Sequence, residues 1–325
     1  MAEIIVTGAA NSEAASALAL APVAVVDDFL PMELAEAMRA DIDAHFANPN
    51  RHTADTHQVW NYWFVRDLYT YLRTTPEKVI DKERVEAFMS ALREWSAENL
   101  GMTRISRAYL SLYVSGCRQG WHNDATNGRF AYVFSLTRNE RDTTGGETLV
   151  MRDGDPLRRN LTRPAAGRSL FEAVEPRFNR LVIFDDRVPH AVERVDGAMD
   201  PVQGRFVLHG HISEGGTIVS GARPAAAVNE VLNTALRAFT EETGTGLALY
   251  QGPISLRLKI DMAGSVEECD VVMDRVLHPG SGEEAWEPLR ERLCEHLEAL
   301  RFPSATGETS VVLPVMFGPR PAAIR

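Results

Sequence analysis

Cysteine is scarce: Cys117, Cys269 and Cys294 are the three in 325 residues, with no C-x-x-C spacing. So sparse and odd-numbered a set makes neither a disulfide frame nor a zinc knuckle and reads as reduced thiols, with Cys117 a small buried one. Positive charge is also short, since 34 Lys and Arg stand against 45 Asp and Glu, for a net charge of −11. Binding a nucleic-acid backbone needs a basic footprint, so no nucleic-acid partner is expected. Long apolar runs are missing too. The run from Ala14 to Val26 has no basic region before it and is broken by Pro22, so it makes a poor signal peptide. No later stretch approaches the about 20 apolar residues of a membrane helix, so the expectation is a cytoplasmic protein with no membrane partner. No internal repeat or low-complexity tract appears. What remains is a soluble composition, 45% hydrophobic and 24% charged, in a chain long enough for two domains.

Along the chain, residues 1 to 20 are small and polar and read as loosely ordered. Val23 to Val26 reads as a short strand, and DDFLP as a turn into a helix opening near Pro31. Leu34, Met38, Ile42 and Phe46 give that helix one apolar face. Trp60, Tyr62, Trp63 and Phe64 crowd the segment HQVWNYWFVRDLYTYL, which is expected to pack a sheet against a helix or to supply a lid. A long amphipathic helix from Pro76 to about Leu100, carrying Val79, Val85, Phe88, Leu92 and Trp95 on one side, is expected to buttress a sheet. From Arg107 the period becomes two. YLSLYVSG, FAYVFSLT, GETLVMR, NRLVIFDD, HAVERV and GRFVLHGHIS read as strands, with an excursion between Arg152 and Arg180.

Short strands with Gly, Asp and Asn turns and no helix between them predict a jelly roll of the double-stranded β-helix kind. EGGTIVSGARP then reads as a linker. Beyond it a helix, the alternating strand PISLRLKID, a second strand, the Trp286–Leu300 helix and a strand around Leu313 make an αββαβ unit. The fold class is therefore α+β. A domain over 1–213, with its core at about 105–213 and buttressing N-terminal helices, is followed by a linker over 214–224 and a small domain over 225–325.

The chemistry centres on YVSGCRQGWHND. His122 and Asp124 flank one residue, so on an extended strand both side chains leave one face while Asn123 faces away. His190 begins a later strand after LVIFDD and is expected to approach from the opposite side of a barrel. Two histidines and a carboxylate form the triad of non-haem Fe(II) oxygenases, which leaves coordination positions open. An HxD alone is weak; order adds force. Arg205 on the next strand could grip a carboxylate with a forked pair of charge-assisted hydrogen bonds. Tyr113 could donate its phenol into the pocket, and GGET after the second strand is expected to make a tight turn at the barrel mouth. Arg194 competes with Arg205 but lies in the intervening segment. His209 and His211 share a face with Arg205 and read equally as mouth residues or as ordinary packed ones. Asp185-Asp186 reads as a turn, Arg129 as a solvated turn residue, and His45, His52 and His57 receive no role.

The spacing Tyr113-x-x-Gly116-x5-His122-x-Asp124, then Gly145-Gly146-Glu147-Thr148, then EPRFNRLVIFDDRVPHAV, resembles the prolyl 4-hydroxylase branch of the Fe(II)/2-oxoglutarate dioxygenases over about residues 105–213. The EPRFNRLVIF segment is most similar to the prolyl hydroxylases that act on hypoxia-inducible factor. The resemblance implies a hydroxylase using Fe(II), 2-oxoglutarate and O2 and releasing succinate and CO2. It implies His122, Asp124 and His190 as iron ligands, Arg205 on the 2-oxoglutarate distal carboxylate, and Tyr113 pointing into the cosubstrate pocket. Arg205 follows His190 by fifteen residues, farther than the family places it, and Ser135 stands where relatives have a second cosubstrate tyrosine. The implied substrate is an amino-acid residue of a peptide or protein, or a small metabolite.

ISLRLKIDMAGSVEECDV, LRFP and VVLPVMF resemble the TonB C-terminal-like domain, over about residues 225–318. That likeness implies a module for a partner peptide or for homodimer packing. Two rival readings have distinct signatures. A catalytically idle, partner-recruiting metal-binding protein releases no succinate. A cupin-like zinc enzyme works without 2-oxoglutarate and gives Arg205 no task.

Overall fold

The computed structural model describes residues 4–6, 23–47, 59–151, 171–277 and 286–318. These fall into two compact units. The first holds the described residues up to Arg93 and from Arg104 to Ser213; the second holds Glu94–Thr103 and those from Glu214 onward. The expectation of loose order over residues 1 to 20 falls mostly outside the described residues.

The first unit is built on one curled sheet. Its strands run in the order Ile4–Val6, Val23–Val26, Arg180–Asp185, Phe130–Ser135, Arg205–Ser213, Tyr109–Tyr113, Tyr69–Thr74, Arg118–His122, His190–Val192, Thr148–Met151 and Phe171–Val174. Asn61–Val65 pairs with Tyr69–Thr74, and Arg104–Ile105 with Arg205–Ser213, off this path. This half-barrel agrees with the jelly-roll expectation. Strands buried on both faces carry continuous apolar runs, as at VAVV and at the LVIF between Arg180 and Asp185, where every residue is buried. Val182, Phe184, Ala131, Val150 and Val188 pack together in one apolar cluster of this unit.

Helices cover the sheet as expected. Helix Met32–Ala47 buries Ala35, Met38 and Ile42 at spacings of three and four, with Arg39 beside them. The second helix spans Lys82–Asn99, later than the pattern alone suggested, because Pro76–Lys78 forms a separate 3-10 turn. Asp81 then opens the helix, its carboxylate accepting from the Glu83 and Arg84 amides at 2.9 and 3.3 Å. Phe88 of this helix stacks on Phe134 at 4.9 Å, and each such buried ring contributes roughly 1.5–3 kcal/mol.

One residue ties the DDFLP turn to the sheet. Asn179 is wholly buried at φ 60°, a left-handed position that asparagine tolerates. Its side chain accepts from Leu30 N at 2.9 Å and donates to Leu30 O at 2.8 Å. Beside it, Arg180 grips Asp27 through Nε and Nη2.

The second unit has a sheet in the order Ile218–Gly221, Thr309–Phe317, Gly252–Ile260 and Val266–Asp274. Ile254, Leu256, Leu258 and Ile260 enter a core with Leu289, Leu293 and Leu297 of helix Glu287–Glu298 and Val228, Leu232 and Phe239 of helix Ala225–Thr243. The αββαβ order is present. The stretch read as a linker is not featureless: Ile218–Gly221 joins this sheet beside Thr309–Phe317. Its glycines concealed a four-residue strand whose partner lies about ninety positions later in the chain.

Asn179→Ala leaves both Leu30 backbone groups unsatisfied in the interior and should lower stability by roughly 2–5 kcal/mol in urea denaturation; a change below about 0.5 kcal/mol would contradict the clamp. The hydrogen bond from Arg180 holds Asp27 below its ordinary value of 3.8. A depressed folded value contributes stability that is present above the ordinary value and lost as pH falls through the folded one. Asp27→Asn should therefore flatten the acid limb of the stability profile below about pH 4.

Candidate active site

His122 is the last residue of Arg118–His122, and His190 the first of His190–Val192. They are direct register partners on neighbouring strands, their rings 4.3 Å apart. The expectation that His190 arrives from the opposite side of the barrel is corrected: a β-bulge between His190 and Val192 brings it alongside. Asp124 follows in the turn, and its Oδ2 lies 3.5 Å from His190 Nε2 and 3.9 Å from His122 Nε2. The ligand atoms of these three residues lie within 4.8 Å of one another, so the group could hold a metal ion. Asn123 is exposed, as alternation requires.

The second nitrogens fix how the rings present themselves. His122 Nδ1 donates to Gly120 O at 2.7 Å and His190 Nδ1 to Val188 O at 3.0 Å. Both Nε2 atoms are thereby left as acceptors on the Asp124 side, 3.5 and 3.9 Å from its Oδ2, where a metal could take them. Burial, reinforced by His190, holds the His122 imidazole below its ordinary value, which favours the neutral, ligating form. Burial works to raise the Asp124 carboxyl, but His190, His122 and His211 outweigh it and keep it ionised below the usual range. Asp186, fully buried, positions this loop: its carbonyl accepts from Asp124 N at 2.8 Å, and both carboxylate oxygens lie 3.1 Å from His211 Nδ1. The Asp185-Asp186 pair is thus more than a turn.

A cavity of about 310 Å³ runs from these groups to Arg205. Arg205 is 2% exposed; its Nη2 donates to Thr148 Oγ1 at 3.0 Å, while Nε and Nη1 have no partner among the described residues. Leaving donors of a buried cation unpaired is costly, so the cavity end is suited to an anion. Tyr113 sits opposite Arg205 in register, its ring 4.8 Å from the guanidinium carbon. Burial pushes its phenol above the ordinary range, so it stays a donor, here to Gln119 Oε1 at 3.2 Å. The GGET turn packs beside buried Arg205, not at the mouth: a Cβ on Gly146, at φ 81°, would stand 2.9 Å from Arg205 Cδ. Arg194 is excluded as the anion ligand because it lies exposed, paired with Asp196 at 2.9 Å.

Ser135 is a correction. Its hydroxyl donates to Pro176 O at 3.1 Å and accepts from Thr137 N at 3.2 Å, and it does not line the cavity. The residues that spacing missed are Thr148, Gln119 and Tyr71, the last stacked on Tyr113 at 5.1 Å. Cys117 is buried and burial raises its thiol, as a structural cysteine requires. The aromatic segment divides its work: Trp60 stacks on Phe46 at 5.9 Å, while Trp63 lines the cavity.

A curled jelly-roll sheet here brings together two imidazoles and one carboxylate, a set that could hold a metal ion and that matches the ligand types of non-haem Fe(II) oxygenases. Residues 108–213 match the family model described as the 2OG-Fe(II) oxygenase superfamily, so the chain carries an oxygenase domain of that family, an enzyme unit using Fe(II), 2-oxoglutarate and O2. The chain is similar to a Pseudomonas putida prolyl-4-hydroxylase at 19% identity and TM-score 0.44, covering 62% of this chain and 97% of that one. It is similar to a Trichoplax adhaerens prolyl hydroxylase solved with a hypoxia-inducible factor peptide at 13% identity and TM-score 0.43, covering 60% and 84%. It is also similar to a non-haem α-ketoglutarate-dependent epimerase from nogalamycin biosynthesis at 14% identity and TM-score 0.42, covering 58% and 76%. A search of curated protein sequences returned no match.

Ser135→Ala should lower stability by about 1 kcal/mol through its lost buried hydrogen bonds and leave the apparent affinity for 2-oxoglutarate within about twofold. A large rise in KM for 2-oxoglutarate would return Ser135 to the site.

Proposed function

We propose that this oxygenase hydroxylates an unactivated C–H bond, with His122, Asp124 and His190 holding Fe(II) and Arg205 gripping the distal carboxylate of 2-oxoglutarate. The observation that carries the reading is the buried Arg205 guanidinium, with two donors unpaired, in the same cavity as the His–Asp–His group. When bound, the iron and cosubstrate supply the oxidation: O2 is consumed, 2-oxoglutarate becomes succinate and CO2, and a substrate C–H becomes C–OH. The protein's own residues do the positioning. Gly120 O and Val188 O fix the two imidazoles, and Thr148 and the Gly146 turn fix Arg205. Tyr113 walls the cosubstrate space with a phenol that burial keeps protonated. Gln119 now donates its amide to His122 Nε2 at 3.1 Å, so metal loading requires that amide to turn away.

The substrate we infer is an amino-acid residue of a peptide or protein, or an amino-acid-derived metabolite. The Tyr113–Asp124 and EPRFNRLVIFDDRVPHAV motifs support this reading, and a cavity of about 310 Å³ suits one side chain or a small molecule beside the cosubstrate. For the second unit we propose a TonB C-terminal-like role in holding a peptide or a second copy. Its αββαβ order and its edge strand Val266–Asp274 support that role, since a sheet edge can accept an added strand.

The purified protein should release succinate from 2-oxoglutarate only with Fe(II). His122→Ala should abolish release. Arg205→Ala, which removes two charge-assisted bonds, should raise KM for 2-oxoglutarate by roughly a hundredfold or more with circular dichroism unchanged. Turnover that needs zinc and ignores 2-oxoglutarate would support the cupin-like alternative, and none under any metal would support the idle binding protein.

A further inference from the structure

The cavity holds a second guanidinium besides that of Arg205. Arg73 lies on strand Tyr69–Thr74 and lines the same cavity as His122 and His190. Its guanidinium carbon stands 3.6 Å from the Trp63 ring centroid and 4.1 Å from that of Tyr109, so two aromatic rings clamp it. Among the described residues it makes no hydrogen bond and no ion pair. Its neighbours form a ladder: Trp63 stacks on Tyr71 at 6.4 Å, Tyr71 on Tyr113 at 5.1 Å, and Arg205 lies against Tyr113. One guanidinium therefore stands at each end of a stacked column. Arg205 is buried at the inner end; Arg73 is half-buried at the outer end, beside the partly exposed Trp63 and Tyr109.

Charge shows what such an arrangement suits. Asp124 is the one carboxylate among the described residues lining the cavity, and it belongs to the metal group. The wall thus offers two fixed cations and no free anion, in a chain whose net charge is −11. The 2-oxoglutarate distal carboxylate satisfies Arg205 and leaves Arg73 to the other reactant. Stacking holds the guanidinium plane while leaving its N–H edge available, which pre-organises a forked grip on an oxyanion. A wholly apolar substrate would make no use of this.

We propose that Arg73 is a specificity-determining residue and that the substrate carries a carboxylate, which Arg73 binds while the carbon to be oxidised faces the His122–Asp124–His190 group. The proposal rests on the oxygenase reading and adds a substrate class to it. The carboxylate can come from a free amino acid or its derivative, or from an acidic side chain or C-terminus of a peptide.

The test is calorimetric titration, without O2, of full-length protein loaded with Mn(II) and 2-oxoglutarate. One arm uses N-acetyl amino acids and their carboxamides; the other uses short peptides carrying Glu or Gln internally and ending in a carboxylate or an amide. Acids should bind and the matching amides should bind roughly ten- to a hundredfold more weakly, the range expected for a charge-assisted contact. The arm that binds names the source. Arg73→Gln should remove the preference for acids, Arg73→Lys should retain part of it, and both should keep the wild-type 2-oxoglutarate affinity, which also reports correct folding. Equal binding of acids and amides, no binding by any acid, or a preference that survives Arg73→Gln overturns the proposal. A parallel loss of 2-oxoglutarate affinity in Arg73→Gln would do the same by assigning Arg73 to the cosubstrate. If wild-type protein fails to bind 2-oxoglutarate at all, the oxygenase reading itself fails, and the proposal with it.

Discussion

A positive charge held in the interior without a carboxylate of its own is the constraint around which the first unit is organised. Arg205 is fully desolvated, and Thr148 satisfies only one of its nitrogens. Folding such a group is unfavourable unless something else repays it, and a side chain of similar volume without charge would pack there more stably. The surroundings therefore read as an environment kept for an anion that arrives later. Tyr113 supplies a ring face, Gly146 yields room for the side-chain stem, and burial excludes water that would screen the charge.

The metal group answers to the same geometry. Strand order places Arg205 beside Tyr113, and His122 beside His190, on stretches of one curled sheet separated by the Tyr69–Thr74 strand. Curling turns that separation into a shared cavity. The backbone carbonyls of Gly120 and Val188 hold the histidine tautomers, so ring orientation depends on local chain path and not on distant side chains. Asp186 and His211, paired within the wall, hold the turn that presents Asp124. Site and fold are thus set by overlapping sets of hydrogen bonds.

What the sequence made legible was whatever depends on short spacing. His122 and Asp124 are two residues apart, His190 opens its strand, and the two-residue period of GRFVLHGHIS puts Arg205 on the cavity face. The αββαβ pattern of the second unit was legible for the same reason. What escaped depends on register between distant segments. Ser135 lies on a cavity-forming strand, yet its hydroxyl is taken by Pro176, 41 residues away, which no local pattern announces. The neighbour relation of His122 and His190 needed the bulge, and Ile218–Gly221 needed its partner at Thr309–Phe317. Aromatic density around Trp63 was visible, but the stacking of Trp63, Tyr71 and Tyr113 arises only once three strands align.

Visible absorption of the anaerobic protein shows whether one cavity holds Fe(II) and 2-oxoglutarate together. Chelation of ferrous ion by the 2-oxo acid should produce a weak charge-transfer band that neither component gives alone and that Asp124→Ala abolishes. A protein that binds both components yet shows no such band, or shows it unchanged in Asp124→Ala, would contradict the account.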